Sequence, residues 1–473
     1  MDLGITGIVG ASTIALGVVS LAFFSYAAVQ SFAENEPRAT VRFLLLAAFA
    51  PLLFFVAGGL AFQPSIGFAV LLLGVSIAIG IAFAIPTGAL ARPGDDTPGA
   101  GIDERDIMFS RQKLAPGTER FEQYYRDNPG KRALDDAFRA EPGLLERDAR
   151  HYQPHTFSAA TASFTTVEQL RTLVDGSPAR ERVHCDAAEM TRFIERWAVK
   201  LGARRVGITE LQHYHKYTVV GRGADYGKPV ELDHEFAIAL TVEMDKRMLD
   251  SAPLGPIVME SAQQYLASGA IAIQIAEFIR GLGYPARAHI DGNYRVVCPL
   301  VARDAGLGEI GRMGLLMTPD LGPRVRIAVV TTDLPLVASP RRREMSVIDF
   351  CNVCKKCAEA CPSRAIPFDD RRVIDGARRW QIDSEACFTL WCQLGTDCGR
   401  CVSVCPYSHP DNLLHRTVRF GVRRSRWFRK TAVKLDDVFY GRTPPPAELP
   451  RWMAINTGSE EQNAVRIPEP NTD

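Results

Sequence analysis

Nine of the chain's eleven cysteines fall between Cys351 and Cys405, and their spacing restricts that stretch more than any other feature restricts the rest. The run Cys351-Asn-Val-Cys354-Lys-Lys-Cys357-Ala-Glu-Ala-Cys361-Pro362 reads Cys-x2-Cys-x2-Cys-x3-Cys-Pro, and Cys398-Gly-Arg-Cys401-Val-Ser-Val-Cys405-Pro406 repeats its closing half. In this pattern three close thiolates reach three irons of one cubane, while the cysteine before proline reaches the neighbouring cluster. The expected ligand sets are Cys351, Cys354, Cys357 and Cys405 for one 4Fe-4S cluster, and Cys361, Cys398, Cys401 and either Cys387 or Cys392 for the other. Zinc would draw four ligands into one tetrahedron and does not call for two interleaved Cys-Pro runs. Thiols crowded at metal spacing belong to a reducing compartment rather than to a secreted disulfide scaffold. Cys185 and Cys298 stand apart and read as small buried apolar side chains. Two adjacent clusters make an electron wire, which implies a redox centre at its end.

The N-terminal region sets the second constraint. Apolar runs from Gly4 to about Phe32, from Val41 to Phe62 and from Ile66 to about Leu90 each reach the roughly 20 residues that cross a hydrocarbon core. Residues 1–92 are therefore expected to form a membrane anchor of three transmembrane helices. A cleaved secretory signal would show a basic start and one short apolar run, whereas no Lys or Arg precedes Arg38, and no twin-arginine signal is present. Three crossings put the first loop and the catalytic chain on one side, and the Gln63-Pro64-Ser65 turn on the other. Arg38, Arg42, Arg92, Arg105, Arg111 and Lys113 all fall on the catalytic side, so the positive-inside rule predicts a multi-pass protein of the cytoplasmic membrane with its catalytic domain in the cytoplasm. No His occurs before His151, which excludes a haem held by histidines between these helices.

The 55 basic and 54 acidic residues nearly cancel, giving no support for a nucleic-acid partner held by long-range electrostatics. From Val206 to Asp333 the chain mixes short apolar runs with helical patterns such as Ala262 to Ile279, which predicts a layered α/β domain. Gly306-Leu-Gly308-Glu-Ile-Gly311 matches the dinucleotide pattern, but Ala302-Arg-Asp-Ala305 precedes it where a buried strand should, and Pro319 soon breaks the stretch where a helix should open. A glycine-rich loop that lets backbone approach another large planar cofactor is the preferred reading.

Several strings together resemble the core of reductive dehalogenases: Ala305-Gly-Leu-Gly-Glu-Ile-Gly-Arg312, Thr318-Pro-Asp-Leu-Gly-Pro-Arg-Val-Arg326, Thr332-Asp-Leu-Pro-Leu336, then the cysteine run. Cys387-Phe-Thr-Leu-Trp391, continuing to Gly395, Cys398, Cys401 and Cys405, follows the same family's order with a displaced first cysteine. Gly221-Arg-Gly-Ala-Asp-Tyr-Gly227 and Leu282-Gly-Tyr-Pro-Ala-Arg-Ala-His-Ile-Asp-Gly-Asn293 look most like its soluble, catabolic branch. The resemblance runs from about Val206 to Trp452 and leaves out the membrane segment, which departs from both common branches.

The resemblance implies a nitroreductase-like α/β (α+β) corrinoid-binding domain at 93–340, a bacterial ferredoxin-like domain with two 4Fe-4S clusters at 341–415, and a C-terminal extension at 416–473 packed on the catalytic core. It implies a cobalamin-type corrinoid, bound without a protein histidine on cobalt since Asp-x-His-x-x-Gly is absent, and removal of halide from a small organohalide. It favours Cys387 as the eighth ligand. It assigns proton donation to Tyr265, the basic partner to Arg326, a polar contact to Asn293 and corrinoid contacts to Gly306, Leu307, Gly308 and Arg312. No flavin or nicotinamide module is fused after the clusters, so the expected electron donor is a separate ferredoxin, flavodoxin or membrane reductase. An epoxyqueuosine reductase would carry an aspartate donor and Gly-Leu-Gly-Trp-x-Gly-Lys. A plain membrane-anchored electron carrier would leave the long segment before the clusters without a role. Residues 416–434 hold eight basic and no acidic residues. A solvated helix is preferred there over a face laid on anionic lipid.

Overall fold

The computed structural model describes residues 3–61, 66–86, 96–99, 101–341 and 343–453. Helices α1 (Leu3–Ala33), α2 (Pro37–Leu60) and α3 (Ile66–Ala84) are each long and apolar enough to cross a membrane. Most of their large side chains face outward, among them Leu44, Phe49, Leu71 and Ile79, each more than half exposed. Burial of such a side chain contributes roughly 1.5–3 kcal/mol, so the bundle is built to be covered by hydrocarbon. Small residues let α1 and α2 pack closely. A Cβ at Gly58 would come within 2.5 Å of Ile14 Cγ1, and one at Gly17 within 2.8 Å of the Phe55 ring. The Gln63-Pro64-Ser65 turn, Phe62 and Arg92 lie outside the described residues.

The loop joining α1 to α2 docks on the globular part. Glu34 accepts from Asn412 Nδ2 at 2.6 Å and faces His415 Nε2 at 3.2 Å, while Glu36 lies 3.5 Å from Lys246. The first loop and the globular domain therefore share one side of the bundle.

That domain is centred on a four-stranded sheet in the order β1 (Arg205–Glu210), β2 (Phe236–Glu243), β6 (Val325–Thr332), β3 (Ala286–His289), every pair antiparallel. Successive side chains of β2 point to opposite faces. Ile238, Leu240 and Val242 meet Ile271, Ile275 and Ile279 of helix α4 (Gly255–Gly281); Ala237 and Ala239 meet Val301 and Leu307 on the far side. Both faces are covered, which explains why β2 reads as an unbroken apolar run rather than an alternation. A small hairpin, β4 (Glu309–Ile310) with β5 (Leu316–Met317), comes directly after the glycine-rich loop.

The cysteine region adds α5 (Met345–Cys354) and α6 (Ser384–Leu394), and the chain continues into α7 (Leu413–Arg424) and α8 (Arg426–Phe439). Residues well before the sheet are threaded onto this region: Gly143, Leu145, Arg150 and His151 donate backbone hydrogen bonds to the carbonyls of Cys392, Gly395, Gln393 and Leu394.

Candidate functional site

Cys351, Cys354, Cys357 and Cys405 line one small cavity of about 20 Å³, closed by Phe350, Met317 and Tyr407. Lys355, between the helix carrying Cys354 and the one carrying Cys357, has φ +58°, the left-handed turn that folds the two helices onto the same cavity. Burial pushes these thiols up, Cys357 to about 12 and Cys405 well above its usual value, with the other thiols of the same group adding to the effect.

The remaining cysteines separate into ones that meet and one that does not. Cys401 is raised by burial and then by Cys398, Cys357, Cys387 and Cys361. Cys387 is raised to about 12 by burial, then by Cys398 and Cys361. Cys392 has no cysteine among its electrostatic neighbours and sits with Met108, Phe138 and Phe388. Five residues turn a helix through about 140°, so Cys387 and Cys392 occupy different faces of α6.

All eleven cysteines are free thiols. Among the described residues no three of them bring sulfurs within 4.8 Å of one another. A tetrahedral zinc site needs sulfurs about 3.8 Å apart, given Zn–S bonds of roughly 2.3 Å. Enclosed thiols converging at wider spacing fit a multi-iron cluster and not a single ion. Metal binding would release the protons that burial now holds on them. Glu34, His409 and His415 do hold donor atoms within 4.8 Å of each other. Their two imidazoles, however, stack with planes 3° apart, and in-plane lone pairs of parallel rings do not converge on one ion.

Tyr265 lies on α4 and Arg326 on β6, with the Arg326 Cζ 4.8 Å from the centre of the Tyr265 ring. The guanidinium is held from behind: Nη2 donates to Ser261 Oγ at 2.6 Å and to Asp397 Oδ2 at 3.1 Å, and Ser261 Oγ donates to Asp397 Oδ2 at 2.5 Å. Ser261 and Tyr265 are four apart and share one face of α4. Asp397 immediately precedes Cys398, so a single ion pair connects the phenol to the cysteine region.

Tyr265, Asp291, Tyr294 and Arg326 are deeply enclosed yet keep some accessible surface. The Tyr265 hydroxyl has no hydrogen-bond partner among the described residues. Burial raises its pKa, and Arg326 opposes the rise. Arg326 stays charged because Tyr265 and Asp397 outweigh its burial. Cys298, another electrostatic neighbour of Tyr265, is flanked by Val297 and Pro299, which line a cavity of about 540 Å³ together with Gly101, Glu309 and Ile310. A partly accessible phenol without a partner is the group here that a bound molecule could meet.

Asn293 lies in the turn after β3, where its Oδ1 accepts from Arg287 Nη2 at 2.9 Å rather than bonding the phenol. Gly306 has φ +78°, and a Cβ at Gly308 would come within 2.2 Å of the Met317 carbonyl, so these glycines serve close backbone packing. Leu307 is buried under the sheet. The Arg312 side chain is wholly buried and donates to the carbonyls of Cys351, Pro367 and Asp369. The cavity edge nearest this loop is formed instead by Glu309, Ile310 and Gly314. Ser261, Asp291, Tyr294 and Asp397 were missed in the sequence. Only the adjacency of Tyr294 to Asn293 and of Asp397 to Cys398 offered a signal.

The family model for a 4Fe-4S dicluster domain matches residues 350–409. A tetrachloroethene reductive dehalogenase of Sulfurospirillum multivorans is 30% identical over 292 residues, which is 54% of this chain and 58% of that protein. One from Desulfitobacterium hafniense is 35% identical over 206 residues, 41% of this chain and 37% of that protein. Among solved structures, a catabolic reductive dehalogenase shares the fold with a TM-score of 0.59 at 24% identity, over 76% of this chain and 48% of that one. A reductive dehalogenase whose structure suggests a mechanism for B12-dependent dehalogenation gives 0.56 at 26% identity, over 66% and 46%. The chain spans about half the length of the relatives it matches. Fold and cysteine pattern set an iron-sulfur-type cysteine region beside a buried phenol. Over the matched residues the chain is similar to reductive dehalogenases.

Proposed function

We propose that this protein is a membrane-anchored reductive dehalogenase that removes halide from a small organohalide, with electrons relayed through two 4Fe-4S clusters to a cobalamin-type corrinoid bound beside Tyr265. Cys351, Cys354, Cys357 and Cys405 would hold one cluster, and Cys361, Cys387, Cys398 and Cys401 the other. The corrinoid, when bound, would supply a low-valent cobalt that gives up the electrons that break the carbon-halogen bond. The protein's own residues handle the proton. A phenol raised by burial stays protonated across the ordinary pH range and is a competent donor to the carbon that loses its halide. Arg326 then stabilises the phenolate, and Ser261 with Asp397 keeps the guanidinium over the ring. With α1–α3 as spans, the basic residues on the catalytic side support a substrate and a separate electron donor on the cytoplasmic side.

The observation that carries this reading is the buried Tyr265 phenol, without a hydrogen-bond partner among the described residues and beneath the Arg326 guanidinium. Tyr265→Phe keeps the ring's contacts and removes only the acid. Positioned acids contribute roughly 100- to 10,000-fold. The variant is expected to retain corrinoid and iron while losing halide release on that scale, and near-parental turnover with bound corrinoid would place the proton donor elsewhere.

A further inference from the structure

Helix α8 is wedged beneath the apolar bundle. At its C-terminal end Phe439 stacks on Phe43 of α2, with ring centres 4.2 Å apart. Near its start Phe428 meets Phe83, in the last turn of α3, edge to face at 4.9 Å. Phe43 sits about 9 Å along α2 from its first residue, at 1.5 Å per residue. These two contacts fix α8 at the level where the bundle meets the globular domain, running across its ends.

Beside the face that meets the bundle, α8 carries an apolar stripe that no described residue covers. Trp427, Leu435 and Val438 are 77%, 44% and 48% exposed, and with Thr431 they fall at i, i+4, i+8 and i+11, one side of a helix. Exposed Arg426, Lys430 and Lys434 accompany the stripe. The helix's acids are turned inward: Asp436 pairs with Lys356, and Asp437 with Lys356 and Arg442. The preceding helix continues the pattern, with exposed Phe420 beneath the Arg424 guanidinium at 4.5 Å. A tryptophan beside basic side chains whose stems can lie along apolar surface is the composition of a helix resting in a lipid headgroup layer.

We propose that α8, with the exposed edge of α7, lies in the plane of an anionic membrane surface, inserting Trp427, Leu435 and Val438 among the headgroups and pairing Arg426, Lys430 and Lys434 with lipid phosphates. This rests on the reading of α1–α3 as membrane spans and fixes the distance of the clusters from the bilayer, because α8 also packs on α5, which carries Cys351 and Cys354. Full-length protein in nanodiscs containing phosphatidylglycerol tests it, with bromine on the acyl chains either near the headgroup or near the chain ends. The chain has five tryptophans, so the Trp427 signal is the difference between parent and Trp427→Phe. Trp427 emission is expected to be blue-shifted and quenched more by shallow than by deep bromine. Replacing Lys430 and Lys434 with Gln should weaken that quenching in anionic discs and leave it unchanged in phosphatidylcholine discs. Val75→Trp, at an exposed site midway along α3, reports the spans themselves through deep bromine. If Val75→Trp is quenched and Trp427 is not, the anchor stands and the proposal falls. If neither is quenched, the spanning reading fails with it. A blue shift of Trp427 without bromine quenching would mean that protein, a second copy or a partner, covers the stripe, and would also overturn the proposal.

Discussion

Arg326 meets three demands at once: it overlies the Tyr265 ring, donates to Ser261 and pairs with Asp397. Removing it leaves Asp397 buried beside nothing of opposite charge, a change that typically costs roughly 3–5 kcal/mol. Arg326→Leu should therefore lower both thermal stability and halide release. Arg326→Lys keeps the charge but loses the planar guanidinium over the ring and should retain more of each. Asp397→Asn separates the roles more cleanly. Asp397 pushes the Tyr265 pKa up, so neutralising it should lower the phenol's pKa and move the alkaline limb of the rate profile to lower pH. An unmoved limb would mean that Tyr265 is not the titrating donor. That Tyr265 and Arg326 lie together was expected from the family resemblance, Arg326 closing one of its strings. Ser261 and Asp397 were not, because a hydroxyl one turn from Tyr265 and an acid before a cysteine acquire meaning only when β6, α4 and the cysteine loop are brought together.

At the level of elements, the cysteine spacing carried most of the local structure, since ligand order dictates where the chain must turn. What it left open was the face of α6. The structure turns Cys387 toward Cys361 and Cys398, and Cys392 toward Met108 and Phe388. Cys387→Ser should reduce iron from about eight to about four per chain, and Cys392→Ser should leave it unchanged. Iron lost only from Cys392→Ser would reverse the assignment. The sheet's direction was less legible. An apolar run like β2 suits a buried parallel strand equally well, and only the pairing of β1, β2, β6 and β3 shows that the sheet is antiparallel. The junction between the α1–α2 loop and the cysteine region should be acid-labile. Burial lowers the His409 pKa to about 4 from 6.5, so folded protein resists a proton that unfolded chain accepts. Its stabilising contribution is complete above about 6.5 and is lost as pH falls toward 4. Glu34, held below the usual carboxylate range by His415 against the opposing effect of burial, acts in the same direction lower down. Amide exchange at residues 34–36 should accelerate over that window while the sheet's amides stay protected.

For the whole molecule, the apolar runs were legible by length alone, and the described helices keep nearly the same bounds. Their docking was not legible, because Glu34, Asn412 and His415 are almost four hundred residues apart in the chain and meet only through the fold. A topology reporter at the C-terminus should be active as a cytoplasmic fusion and silent as a periplasmic one, and the reverse would invert the orientation. The most direct test of the central claim is halide release by the full-length protein, purified anaerobically in detergent with its corrinoid and iron quantified, supplied with a low-potential reductant and a panel of aryl and alkyl halides. About one corrinoid and eight irons per chain, with stoichiometric halide and the hydrogen-substituted product from at least one substrate, is the predicted result. Fully iron-loaded protein that binds no corrinoid and passes electrons to a soluble acceptor without releasing halide from any substrate would contradict it.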